Sequence, residues 1–241
     1  MTPRQVRRDE PELRPRRATL RDGTTRVTAS TPTPIYRFIH VDNLEVCLRR
    51  AALHAPNHTP NDGLRYKTIH NVDIQLQRAQ RQIPCGPGGV IHDYVSFYFG
   101  YLSPMMLQLK TGWVAGYNEG QEPLIYLVST AQAVADRGLG FVFSDGHGIA
   151  FDTDWYENLR DLEAVDWGMV YQRYWAADYE RDPDRQRRKQ AEFLVHRSYD
   201  WGLVQEIVVL NARMKARVEA ILDGFDAALR RPVVIRPAWY Y

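Results

Sequence analysis

Apolar positions in this 241-residue chain recur in two rhythms. Residues 35–39, 93–101, 124–129, 141–143, 191–196, 206–210 and 233–235 run as short apolar or alternating stretches and predict strands. Leu44, Cys47 and Leu48 stand at helical spacing behind Asp42 and Asn43, either of which would cap a helix running to Arg50. Further helices are predicted over 74–82, 154–162, 166–175 and 214–229. Pro, Gly and Asn cluster at 55–64, and Pro and Gly at 84–89, which predicts loops. Strands and helices mix without regular βαβ alternation, so the expected class is α+β. The first 33 residues carry almost no apolar periodicity, and eight Arg face four acidic residues up to Arg26. They are expected to form a disordered basic extension, with one folded domain over 34–241.

Composition narrows the choice. A chain of this length with 44% apolar residues can bury one good core or two small ones. No run of about 18 apolar residues exists, and the Arg-rich N-terminus lacks an apolar signal region, so neither a membrane span nor secretion is expected. Cys47 and Cys85 are too few for a disulfide framework or a Cys-based zinc site, which suits a cytoplasmic protein with free thiols and no metal. The formal net charge is only +2, so contact with nucleic acid would have to be local, in a groove with its own charge. The 14 Tyr and 6 Trp could offer stacking surfaces to unpaired bases, although aromatics more often fill cores.

Several chemistries are excluded by missing motifs. There is no Gly-x-Gly-x-x-Gly behind a strand, no P-loop, no His-Glu-x-x-His, no deaminase zinc pattern and no Gly-x-Ser-x-Gly. A nucleotide-using enzyme with this sequence must hold its ligand another way. Glu192 and Phe193 are neighbours in a predicted strand, so their side chains face opposite ways. An inward Phe193 leaves Glu192 facing a cleft, where a fixed carboxylate can stabilise positive charge developing on a ribose.

Four segments stand out: Ile35-Tyr-Arg-Phe-Ile-His-Val-Asp-Asn-Leu44; His92-Asp-Tyr-Val-Ser-Phe-Tyr-Phe99 with Ser103-Pro-Met105; Phe141-Val-Phe-Ser-Asp-Gly-His-Gly148; and Lys189-Gln-Ala-Glu-Phe-Leu-Val195. With the terminal Trp239-Tyr-Tyr241, their order and spacing resemble the DarT family of DNA ADP-ribosyltransferase toxins, from about residue 34 to the end. The resemblance implies an ADP-ribosyltransferase fold, with two small packed sheets, flanking helices and a central NAD+ cleft. It implies transfer of ADP-ribose from NAD+, as co-substrate, to a base of single-stranded DNA. The base is usually thymidine within a short sequence, and the product blocks replication. It also implies a macrodomain antitoxin partner of the DarG type. Guanine, RNA, a protein side chain or water as acceptor, the last making an NAD glycohydrolase, stay open at this point.

The resemblance carries over to single residues. Glu192 matches the family's catalytic carboxylate, and Arg78 matches an Arg that contacts NAD+ and assists loss of the base proton. Since Arg stays protonated, polarising the base carbonyl suits it better than acting as a base. Arg37, Phe38 and Ile39 are expected to touch NAD+, Val46 and His54 to border its adenosine half, and Tyr98 to stack on nicotinamide. Some relatives carry His where Arg37 stands, and many carry Pro at Ser96, a change expected to alter a strand edge and leave the chemistry alone. The loop over 55–68 is expected to close over NAD+ and be mobile without it. DNA contacts are expected from His147, Arg187 and Arg188, with Arg185 and Lys189 near phosphates, although the same run mixes with acidic residues as a solvated helix would.

Overall fold

The computed structural model describes residues 16–19, 25–176, 178 and 180–241. Its first elements are two antiparallel strands, β1 (Arg16–Thr19) and β2 (Thr25–Thr28). Val27 and Ala29 pack against the main core, and Thr33 is buried, its hydroxyl donating to the Ser30 carbonyl at 2.7 Å. The expected disordered extension is therefore corrected over 16–19 and 25–33, while 1–15 and 20–24 lie outside the described residues. A two-stranded ladder is held by backbone groups that every residue carries, so scarce apolar side chains gave no sign of it.

The chain continues through β3 (Pro34–His40), α1 (Leu44–Arg50), β4 (Ala52–His54), α2 (Val72–Arg78), β5 (Tyr94–Tyr98), α3 (Pro104–Thr111) and β6 (Leu124–Thr130). Then come α4 (Ala131–Asp136), β7 (Phe141–Ser144), β8 (Trp155–Tyr156), α5 (Trp167–Val170), α6 (Arg185–Arg188) and β9 (Glu192–His196). It closes with β10 (Ser198–Asp200), β11 (Glu206–Val209), α7 (Ala212–Asp223) and β12 (Val233–Ile235). The class is α+β, as expected. β4 pairs with β10, and eight strands form one ladder in the order β12-β11-β6-β3-β5-β9-β7-β8.

That ladder is two sheets with a narrow join. β3 pairs with β6 over seven residues and β5 with β9 over five, but β3 and β5 share a single registered pair, Tyr36 with Tyr98. The two half-sheets are the two small sheets of the expected fold. Alternation gives their strands two buried faces. Ile35 and Ile39 of β3, Ile125 and Leu127 of β6, and Phe193 and Val195 of β9 enter the main core. Tyr36, Phe38, Tyr126 and Val128 enter a second core, closed by Trp239 and Tyr240. Ser96, Tyr98 and Glu192 lie on the faces opposite the main core, and there the half-sheets diverge.

The helix expected over 74–82 runs instead over Val72–Arg78, and three others differ more, for local reasons. Residues 154–162 form β8 and a 3₁₀ turn, because Tyr156 pairs with β7 and its ring stacks on Phe143 at 5.2 Å. The helix expected over 166–175 is one turn long. Lys189 Nζ donates to the carbonyls of Val170 (2.6 Å) and Gln172 (2.7 Å), which a longer helix would turn toward its own N–H groups. The helix expected to Leu229 ends at Asp223, before Gly224. Asn43 precedes α1 without capping it, and exchanges hydrogen bonds with the backbone of Lys67 at 2.6 and 2.9 Å. Among the described residues, no helix is long and apolar enough to cross a membrane.

Candidate active site

The divergence between β3 and β5 opens two contiguous cavities of about 270 and 250 Å³, walled by β5, β9, α2 and the loops after β4 and β7. Each element delivers its side chain for a readable reason. α2 starts at Asn71, whose side chain accepts from the N–H groups of Asp73 and Ile74, and it brings Arg78 to its last turn. β9 turns Phe193 into the core, so Glu192 and Leu194 take the other face. β5 does the same with Val95 and Phe97, which leaves Ser96 and Tyr98 on the cavity wall.

Glu192 and Arg78 meet at the cavity floor, 2% and 8% exposed. The guanidinium grips the carboxylate with both terminal nitrogens, Nη1 to Oε1 at 2.9 Å and Nη2 to Oε2 at 2.7 Å. This fork geometry is the strong form of the ion pair. Two further donors and acceptors fix it. The Gly148 N–H donates to Glu192 Oε1 at 3.1 Å, and Arg78 Nη2 donates to Ser96 Oγ at 2.7 Å. Gly148 is closely surrounded: a Cβ there would stand 3.0 Å from Ile91, 3.2 Å from Trp155 and 3.3 Å from Glu192 Oε1, so these side chains would have to give by a few tenths of an ångström. Ser144 accepts from the Glu192 backbone N–H at 3.2 Å and so ties β7 to the start of β9.

Burial opposes the charge on Glu192, and the Arg78 guanidinium outweighs it, holding the carboxyl below the usual carboxylate range. Arg78 is held in its charged form by the same pair, against its own burial. Burial lowers His147, although the Glu192 charge pulls the other way, so this imidazole is neutral at pH 7. Burial and the Arg78 charge lower His92, whose Nε2 lies 3.0 Å from Gln75 Oε1. Burial raises the Tyr98 phenol well above its ordinary value. Arg37, which also lines the cavity, donates from Nη1 to the Ser96 carbonyl at 2.7 Å, while its buried Nε has no partner. Among the described residues, no group of three His, Cys, Asp or Glu is placed to hold a metal.

Of the residues singled out in the sequence, Glu192, Arg78, Arg37, His54, Tyr98 and His147 line one cavity, and Phe38 lines its neighbour, its ring stacked 6.2 Å from Tyr98. Ile39 points its side chain into the main core, so only its backbone is left for a ligand. Val46 sits half-buried on α1, outside the lining. Ser96 corrects an expectation. β5 is unpaired with β3 at Ser96, as a strand edge would be, but the Ser96 hydroxyl touches Arg78 directly and so reaches the chemistry. Period-two alternation from Tyr98 would have found it. Gln75, His92, Met105, Gln186 and Gln190 also line the cavity; His92, Met105 and Gln190 fall in segments that stood out in the sequence, but none of the five was singled out as a site residue. The loop over 55–68 is tied down by Arg50, which grips Asp62 at 2.8 and 2.7 Å and the Leu64 carbonyl at 2.9 Å.

The expected phosphate contacts fare differently. Arg187 is bound to Asp184 at 2.6 Å and to Asp145 at 2.8 Å, and Arg188 is bound to Asp166 and Asp182. Arg185 donates to the Tyr174 carbonyl at 3.2 Å, and Lys189 is buried on the two carbonyls that end α5. The acidic residues interleaved in the run serve as its counter-charges, so these cations brace the segment before β9 and have few donors left for DNA.

Three comparisons bear on this geometry. The DarT family model, described as ssDNA thymidine ADP-ribosyltransferase, matches residues 36–241. A DNA ADP-ribosyl transferase of Thermus sp. (strain 2.9) is 42% identical over 214 residues, 89% of this chain and 99% of its own length. Thermus sp. 2.9 DarT in complex with ADP-ribosylated ssDNA superposes with a TM-score of 0.83 at 41% identity, over 90% of this chain and 100% of that one. The same Thermus protein in complex with NAD+ gives 0.79 at 40% identity, over 89% and 100%.

Proposed function

The chain belongs to the DarT family of single-stranded DNA thymidine ADP-ribosyltransferases, and we propose that its Arg78–Glu192 pair transfers ADP-ribose from NAD+ to a thymine of single-stranded DNA. The observation that carries these roles is the buried, bidentate ion pair on the floor of a cavity large enough for a nucleotide-sized ligand. The cavity also fits an anionic dinucleotide: Arg37 offers a cation and a free buried Nε donor to a diphosphate, and the Phe38–Tyr98 stack offers a face to a flat ring.

NAD+ supplies a ribose whose glycosidic bond leads to a positively charged pyridinium ring, which takes the bonding electrons and leaves as neutral nicotinamide. Glu192, kept ionised by Arg78, stabilises the positive charge that grows on that ribose as the bond breaks and can accept from a ribose hydroxyl. It is already fixed by Arg78 and the Gly148 N–H, so it need not reorganise during the reaction. The thymine ring carries one N–H, and attack through that nitrogen forms the new bond and releases its proton. Arg78 stays protonated and can polarise a thymine carbonyl, which makes the proton easier to lose. His147 lines the same cavity as a neutral imidazole, as do His54, His70 and His92, and an imidazole of this kind can accept it.

The cytoplasm, where NAD+ and replicating DNA meet, is the compartment we assign to the protein, and a DarG-type macrodomain antitoxin is the partner that family membership implies. Weighing oligonucleotides of different base content after incubation with NAD+ tests the reaction. One ADP-ribose gained on thymine-containing strands, and lost in Glu192→Ala, supports it. NAD+ consumption with every strand unchanged overturns it in favour of hydrolysis or another acceptor.

A further inference from the structure

Phe151 is 96% exposed, more than any other large apolar residue among those described. One exposed apolar side chain is ordinary on a protein surface. The position of this one is not. It lies three residues beyond Gly148, whose N–H binds Glu192, and four beyond His147, which lines the cavity. Three residues of chain span at most roughly 11 Å, so the Phe151 backbone lies within that reach of Gly148, which binds the Glu192 carboxylate.

The loop that carries it is held on several sides. Arg81 Nη2 donates to the Ala150 carbonyl at 2.9 Å, and Thr153 Oγ1 donates to the His147 carbonyl at 2.8 Å. The Ala150 N–H reaches the same carbonyl at 2.9 Å, and Asp154 N–H donates to Asp145 Oδ1 at 3.0 Å. A bare aromatic ring on a braced loop is presented, not left over from a flexible segment. It also stands beside a basic run whose cations are taken up by aspartates and carbonyls, so a grip on phosphates is weak on this side.

We infer that Phe151 is a stacking platform for an unpaired base of the substrate strand, a neighbour of the thymine that enters the cavity. Stacking needs no charge and accepts any base, since every base has a π-face. Phe151 would therefore hold the strand close to the site, and the choice of thymine would rest with the cavity. This assignment rests on single-stranded DNA being the substrate.

Anisotropy of a labelled thymine-containing single strand, measured without NAD+ so that no turnover occurs, tests it. Phe151→Ala should weaken binding by about tenfold, Phe151→Trp should bind as the wild type does, and NAD+ binding should be unchanged in both. An abasic site moved along the strand should, at one position beside the target, lower the wild type to the level of Phe151→Ala and cost that variant nothing more. Equal binding by wild type and Phe151→Ala, or equal abasic penalties in both at every position, overturns the platform alone. Failure of the wild type to bind or modify single-stranded DNA overturns the substrate and the platform together.

Discussion

Ser96 Oγ accepts, at 2.7 Å, from the same Arg78 nitrogen that reaches Glu192 Oε2. A hydrogen bond to a charged donor contributes about 1.5–3 kcal/mol, and this one fixes the rotation of the guanidinium against the carboxylate. Ser96→Ala should lower kcat by roughly tenfold with little change in KM for NAD+, and Ser96→Thr should restore most of it. Ser96→Pro should still fold. In the β5–β9 ladder Phe99 N–H bonds Ala191 and Arg197 N–H bonds Asp93, so the odd-numbered residues of β5 make the hydrogen bonds and Ser96 N–H faces away. Circular dichroism and a kinetic comparison of the three variants check this.

Arg78→Lys keeps the charge and loses the fork. Lysine is a point charge and cannot hold both carboxylate oxygens in one plane. Activity should fall by at least about a hundredfold, measured by oligonucleotide modification, although the fold is retained. Arg78→Ala should also destabilise the protein, because removing one partner of a buried pair costs about 3–5 kcal/mol. Thermal unfolding of the two variants separates the effects.

Acid should weaken the pair from one side only. Glu192 has a folded-state pKa below its unfolded value, so its contribution to stability is present above the ordinary carboxylate range and lost as pH falls through the lower, folded value. Lys189 acts at the other end. Burial lowers it to about 7, so from there to the ordinary lysine value near 10.4 the unfolded chain binds more protons than the folded one. Stability should therefore rise with pH across that window. Denaturant midpoints measured from pH 7 to 10 should rise in the wild type and lose that component in Lys189→Met.

Arg187 is a brace. If it touched phosphate, Arg187→Ala would reduce the salt slope of DNA binding by about one. With its donors on Asp145 and Asp184, the variant should instead lower the melting temperature and leave the salt slope unchanged. Binding titrations at several salt concentrations decide it.

The strands that build the site were legible because alternation carries their facing: Phe193 inward already turned Glu192 outward. Arg78 was legible only through family resemblance, since an Arg at the end of a polar helix looks like any surface Arg until the partner 114 residues away is known. The ion pairing of the basic run was not legible because sequence shows charges without their partners, and Arg187 pairs with Asp145 from another element. The missed turn-ending role of Lys189 has the same cause, for its partners are backbone carbonyls that leave no mark in sequence.

The lone Tyr36–Tyr98 pairing makes the boundary between the half-sheets a seam with one stitch. Elsewhere in the ladder, spreading neighbouring strands would break a row of hydrogen bonds. Here the Tyr36–Tyr98 pairing and the Arg37–Ser96 hydrogen bond are what an opening has to strain, with Tyr36 and Tyr98 as the pivot. Admission of a long dinucleotide and escape of a small spent ring call for such breathing, and the architecture confines it to the line where the chemistry lies.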